Sequence, residues 1–96
     1  MVKHIVMWNL KKENKEQNAA KIKLQLEALK SVIPEIITMQ VGRNFNTAEC
    51  AYDLILYSEF ENEEGLDAYI QHPAHKEIAA FIATVRTARV VGDYAV

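Results

Sequence analysis

This chain has little of what stabilises small proteins that lack a core. Cys50 is its one cysteine, so no internal disulfide can form and no cysteine pair can hold zinc, which fits a reducing compartment. Glycine occurs 3 times and proline 2 times, too few for a loop-dominated or low-complexity chain. There is no glycine-rich phosphate loop, no HExxH helix and no Ser/His/Asp order that suggests a nucleophilic triad. No apolar run approaches the ~20 residues of a membrane-spanning helix. The opening Met1-Val2-Lys3-His4-Ile5-Val6 has too few apolar residues for a secretory leader and no small-residue cleavage site. The expected location is therefore cytoplasmic, with no membrane partner. A basic excess is missing as well: 11 Lys and Arg stand against 13 Asp and Glu, for a net charge of −2. Nucleic acid needs a cationic stripe, so it is not an expected partner.

What is present is an ordinary globular composition, 50% hydrophobic and 25% charged over 96 residues. That length makes one domain, residues 1–96. A chain of this size buries roughly 60–65% of its unfolded surface, enough for a modest core.

Val2 to Leu10 reads as a strand with two largely apolar faces: Val2, His4, Val6, Trp8 and Leu10 on one, Ile5 and Met7 on the other. Asn14, with Gln17 three residues on, has the form of a capping box. The helix it opens carries Ala19, Ile22, Leu26, Leu29 and Ile33 at three- and four-residue spacing. Pro34 ends it near Val32-Ile33. A second strand is expected from about Ile36 to Phe45, with Gly42 as a bulge or close approach. A loop over 44–49 and a third strand from Ala51 to Phe60 follow. Asn62 caps a short helix carrying Leu66, Tyr69 and Ile70. Pro73 opens its continuation, which has Ile78, Phe81, Ile82 and Val85 on its apolar stripe. Thr87 to Tyr94 is the last strand.

The order βαββαβ predicts an α+β, ferredoxin-like sandwich: a four-stranded antiparallel sheet with both helices on one face. The first and third strands are apolar on their second face too. Nothing in a single chain covers that face, so a homodimer packed sheet to sheet is expected.

The residues suited to proton transfer near neutral pH cluster around His72-Pro73-Ala74-His75. With Pro73 at the first helical position, His75 falls near the third, where the helix dipole disfavours the imidazolium. Burial lowers its proton affinity further, and a neutral imidazole is what a general base requires. His75 shares the apolar stripe of Ile78 and Ile82. Tyr69 can approach it across the proline, and His4 lies on the inward face of a central strand. Each group also has a structural reading: His72 as a helix cap, His75 as a buried, bonded histidine, His4 as a satisfied core residue, Tyr69 as core with a wet hydroxyl. Cys50 reads as inert, and the acidic run Glu59 to Glu64 as first-turn acids complementing a helix N-terminus.

Val2-Lys3-His4-Ile5-Val6, Tyr52-Asp53-Leu54-Ile55-Leu56 leading to Glu59-Phe60, Leu66-Asp67-Ala68-Tyr69, His72-Pro73-Ala74-His75 and the closing Asp93-Tyr94 together resemble the stress-responsive A/B barrel (Dabb) family. The resemblance covers nearly the whole chain and implies a dimeric α+β barrel. Function in the family is not uniform. Many bacterial members have no assigned activity, and plant members are linked to stress responses. One relative type, olivetolic acid cyclase, closes a linear polyketide by an aldol reaction without a cofactor. Its pattern implies His75 as general base, Tyr69 as orienting hydroxyl and His4 as supporting histidine. The implied substrate-binding positions are Val6 and Trp8, then Ile22 and Leu26, then Leu54, Leu56 and Ser58. Trp8 is larger than its counterpart, and Ile22 and Leu26 replace aromatics, which implies a short or closed cavity. Some relatives bind magnesium through backbone carbonyls corresponding to Lys30, Ile33 and Ile36; no other cofactor is implied.

Two functions of different class follow. One is a cofactor-free enzyme acting on a small, largely apolar carbonyl compound, with His75 removing a proton alpha to the carbonyl. The other is a stress-response or structural binding module in which the same residues only hold the fold. A haem-degrading monooxygenase on the same barrel is a further alternative, although the Asn, Trp and His spacing of such proteins is not reproduced.

Overall fold

The computed structural model describes all residues from 1 to 96. Alternation along β1 (Val2–Leu10) decides the architecture: Val2, His4, Val6, Trp8 and Leu10 are buried, while the intervening residues are half-buried. A period of two buries one face of a strand against a covering layer. The same alternation runs along β3 (Leu54–Phe60), with Leu54, Leu56, Ser58 and Phe60 inward. The remaining elements are α1 (Lys15–Ala28), which tightens into a 3₁₀ turn over Leu29–Ser31 instead of running on as α-helix to Val32-Ile33, β2 (Ile36–Arg43), α2 (Glu63–Gln71), α3 (Pro73–Val85) and β4 (Arg86–Ala95). Every neighbouring pair in the sheet is antiparallel, in the order β2-β3-β1-β4. This is the expected ferredoxin-like α+β arrangement. Buried residues of all three helices join the inward faces of β1 and β3 in one core.

Four further local features differ from expectation. Asn14 has φ 56° and makes no side-chain cap. A capping side chain needs an extended backbone at that position, whereas asparagine tolerates the left-handed region, so the Asn14–Gln17 capping box does not form. The Asn14 carbonyl instead accepts the Asn18 N–H at 2.8 Å. β2 stops at Arg43 rather than Phe45. The side-chain oxygens of Asn44 and Asn46 accept the N–H groups of Asn46 and Ala48 at 2.9 and 2.8 Å, and these Asx turns carry the chain off the sheet. β3 begins at Leu54 rather than Ala51, because the Asp53 N–H turns to the Trp8 carbonyl and the Asn9 side chain. Finally, the β2–β3 register slips between Ile36 and Thr38. Gly42 stays in register with Ile55 and has open space where a Cβ would stand.

The second face of the sheet has no covering layer within the chain. Ile5, Met7, Ile55 and Tyr57 are half-buried there, and Val90 and Tyr94 are exposed. The Glu59 carboxylate on this face takes Lys3 as an ion-pair partner and accepts hydrogen bonds from Thr38 Oγ1 (2.6 Å) and Tyr57 Oη (2.8 Å). These bonds, Lys3 first, hold its pKa down at about 2. No helix is long and apolar enough to cross a membrane.

Candidate functional site

The junction of α2 and α3 sets the chemistry. Asn62 opens α2 by accepting the Gly65 N–H on its side-chain oxygen at 2.9 Å. At the other end Pro73 interrupts the ladder, and His72 is extended, with ψ 134°. In an unbroken helix the Ala74 N–H would donate to the Ile70 carbonyl four residues back. Here the Ala74 N–H donates to His72 Nδ1 at 3.0 Å, and His75 Nδ1 lies 3.0 Å from the Ile70 oxygen that is left free. A carbonyl only accepts, so the proton of neutral His75 sits on Nδ1. Its Nε2 is then the unprotonated nitrogen. Two histidines around one proline thus take opposite jobs: His72 accepts the orphan N–H, and His75 donates to the orphan carbonyl.

His75 is half-buried beside a cavity of about 240 Å³. The floor is apolar: Val6 and Trp8 from β1, Leu26 from α1, Leu56 from β3, Ile78 and Ile82 from α3. His4, Tyr69 and His75 form its polar end, and Arg86 and Arg89 its rim. The Tyr69 and His75 rings lie 4.4 Å apart between centroids, with His4 at 6.1 Å and Phe60 at 5.2 Å from Tyr69. Every fully buried side-chain nitrogen or oxygen has a hydrogen-bond partner. The Tyr69 hydroxyl bonds no protein group, so it reaches the cavity surface. His4 Nδ1 meets the Asp93 carboxylate at 2.5 Å across the β1–β4 ladder.

Burial, above all, pushes the His75 pKa below the ordinary histidine value, and the charges of His4 and Arg89 push the same way; the bond to Ile70 opposes them. Burial also raises the pKa of the Tyr69 hydroxyl. A neutral base and a neutral acid therefore stand side by side at pH 7, an environment that separates the two roles.

Of the residues expected from sequence, His4, Tyr69 and His75 come together, and Val6, Trp8, Leu26 and Leu56 line the cavity. Ile22, Leu54 and Ser58 do not: all three have 0% exposure. The Ser58 hydroxyl is spent on the His4 carbonyl, to which it donates at 2.9 Å. Arg86 and Arg89 were not anticipated. Their signal was the parity of the last strand: Arg89 pairs with inward-facing Trp8 and Asp93 with inward-facing His4.

A magnesium site is poorly served. The Ile33 carbonyl, one of the three named for it, accepts the Ile36 N–H at 3.2 Å and closes a turn. Lys30 and Ile36 add only neutral oxygens, whereas Mg²⁺ is usually held through carboxylates. No group of three or more His, Cys, Asp or Glu side chains is arranged to hold a metal. Cys50 is exposed and free.

The family model described as Stress Responsive A/B Barrel Domain matches residues 2–96. Among solved structures, a dimeric protein of unknown function and ferredoxin-like fold from Bacteroides fragilis is 33% identical, with TM-score 0.90, covering 99% of this chain and 95% of that one. A dimeric ferredoxin-like protein of unknown function from Thermobifida fusca is 25% identical, with TM-score 0.87 and coverages of 99% and 90%. The hydroxynitrile lyase from Passiflora edulis shares the fold at 18% identity, with TM-score 0.88 and coverages of 99% and 92%. No protein with a curated description matches.

Proposed function

We propose that this chain, which belongs to the stress-responsive A/B barrel (Dabb) family, is a homodimeric, cofactor-free enzyme that removes a proton alpha to the carbonyl of a small, largely apolar compound. His75 Nε2 takes the proton. The electron pair of the C–H bond becomes the C=C bond of an enolate while the carbonyl π pair moves to oxygen, and the Tyr69 hydroxyl donates a hydrogen bond to that oxygen. Protonated His75 then returns its proton to carbon, or the enolate carbon attacks a second carbonyl of the same molecule and the alkoxide formed on ring closure takes that proton. His4, held by Asp93, backs the pair. The observation that carries this reading is the bond from His75 Nδ1 to the Ile70 carbonyl, which leaves a basic nitrogen beside a free phenol. The cavity lies below the ~300–1,000 Å³ of drug-sized sites, which favours a short substrate. Support for the homodimer comes from the uncovered sheet face and from neighbours described as dimeric.

Exchange of alpha protons for deuterium tests the reaction directly. A panel of short ketones and oxo acids in D₂O is followed by proton NMR with wild type and His75→Ala. Exchange above buffer on at least one compound, lost in His75→Ala while the dimer persists, is the expected result. No exchange on any compound, with His75→Ala lowering only stability, supports the non-catalytic binding module.

A further inference from the structure

The rim of the cavity carries two cations that the proton-transfer step does not use. Arg89 stands opposite Trp8 in the β1–β4 ladder, on the helix-facing side of the sheet, and Arg86 stands opposite Leu10. Both line the same cavity as His75 and Tyr69. The ion pairs of the protein are Lys3–Glu59, His4–Asp93, Lys15–Asp53, Lys23–Glu27 and Arg43–Glu16. Neither Arg86 nor Arg89 belongs to any of them. Asp93, the one acid on the same face of β4, is engaged by His4. Unpaired guanidiniums over an apolar cavity fit a planar anion, because a guanidinium presents paired N–H donors that match a carboxylate bidentately. The charge of Arg89 bears on both His75 and Tyr69, which places it near the reacting groups rather than out on a distant surface.

We propose that the substrate bears a carboxylate, bound by Arg89 with Arg86 beside it, so that the reacting carbonyl lies between Arg89 and the His75–Tyr69 pair. This rests on the proton-abstraction reading and names its substrate class: a short oxocarboxylate with an apolar tail. The tail lies against Trp8 and Leu26, and the carboxylate fixes which carbon faces His75.

Trp8 is the only tryptophan and lines the cavity, so its fluorescence reports binding without any turnover. The full-length protein is titrated with 2-oxopentanoate and with 2-pentanone, which lacks the carboxylate. Wild type is expected to prefer the anion by about ten- to a hundredfold, the scale of a hydrogen bond to a charged group. Arg89→Gln should remove that preference, and Arg89→Lys should restore part of it. Equal affinities in wild type overturn the assignment, as does a preference that survives in the Arg86→Gln/Arg89→Gln double variant. Because binding is read apart from exchange, either result leaves the role of His75 to be decided by its own experiment. Loss of exchange in His75→Ala with the anion preference intact would support both.

Discussion

Tyr69→Phe separates the chemistry of the site from its packing. The substitution removes one oxygen and keeps the ring, whose contacts lie 4.4 Å from His75, 5.2 Å from Phe60 and 6.1 Å from His4. A broken neutral hydrogen bond costs about 1 kcal/mol, more when it strands a buried partner. The Tyr69 hydroxyl has no partner in the protein to strand, and the phenyl ring is if anything easier to bury. The unfolding free energy is therefore expected to change by less than ~1 kcal/mol. Catalysis responds on another scale. A donor aimed at a developing oxyanion is worth about 10²–10³ in kcat, so alpha-proton exchange should fall by that factor. Urea unfolding followed by Trp8 fluorescence gives the first quantity, and deuterium exchange by NMR gives the second. A stability loss above about 2 kcal/mol would mean that the hydroxyl serves the fold. An exchange rate within about threefold of wild type would mean that it serves no reaction step.

Other expectations can be tested without a substrate. Because the folded-state pKa of His75 is depressed, the unfolded chain binds its proton first as pH falls. That contribution to stability is complete above the ordinary histidine value of about 6.5 and is lost as pH drops from there towards the folded value. His75→Gln should flatten this part of a pH series of unfolding midpoints. Catalysis should fall over the same acid range as the base becomes protonated. On the open face of the sheet, Met7→Glu puts a charge among Ile5, Ile55 and Val90, and light scattering should show dimer association weakened by about 30-fold or more in favour of monomer. Asn62→Ala removes the acceptor of the Gly65 N–H and should cost about 1 kcal/mol in chemical unfolding.

The sheet and its helices were legible because hydrophobic spacing reports burial. Val2 to Leu10 showed a period of two and Ala19 to Ile33 a helical period, and both survive in the structure with boundaries moved by a few residues. The misreadings occurred where polar side chains compete with the backbone ladder. Asn14 has the residue type of a cap but a left-handed conformation, and Asn44 with Asn46 ends a strand that its apolar content would extend. The site was legible in part. The proline between His72 and His75 showed that the two histidines are not equivalent, and the inward parity of His4 put it in reach of Tyr69. Which apolar residues border an empty space is a different matter, since Ile22 and Leu26 lie one turn apart on the same stripe and only Leu26 meets the cavity. Arg89 was hidden for a simpler reason: Val90 and Val91 stand side by side in the last strand, so its apolar residues do not alternate and the sequence alone does not declare which face is inward.

The tautomer of His75 is set by the Ile70 carbonyl, and every amino acid carries that group. Substitution at position 70 can alter packing but cannot delete the acceptor. A side-chain carboxylate in the same role would be one mutation from failure. The orientation of this base is thus buffered against sequence drift at its own support, while its vulnerability is concentrated at position 73, where replacing proline removes the restraint that keeps His72 extended and lets the Ala74 N–H return to the Ile70 carbonyl.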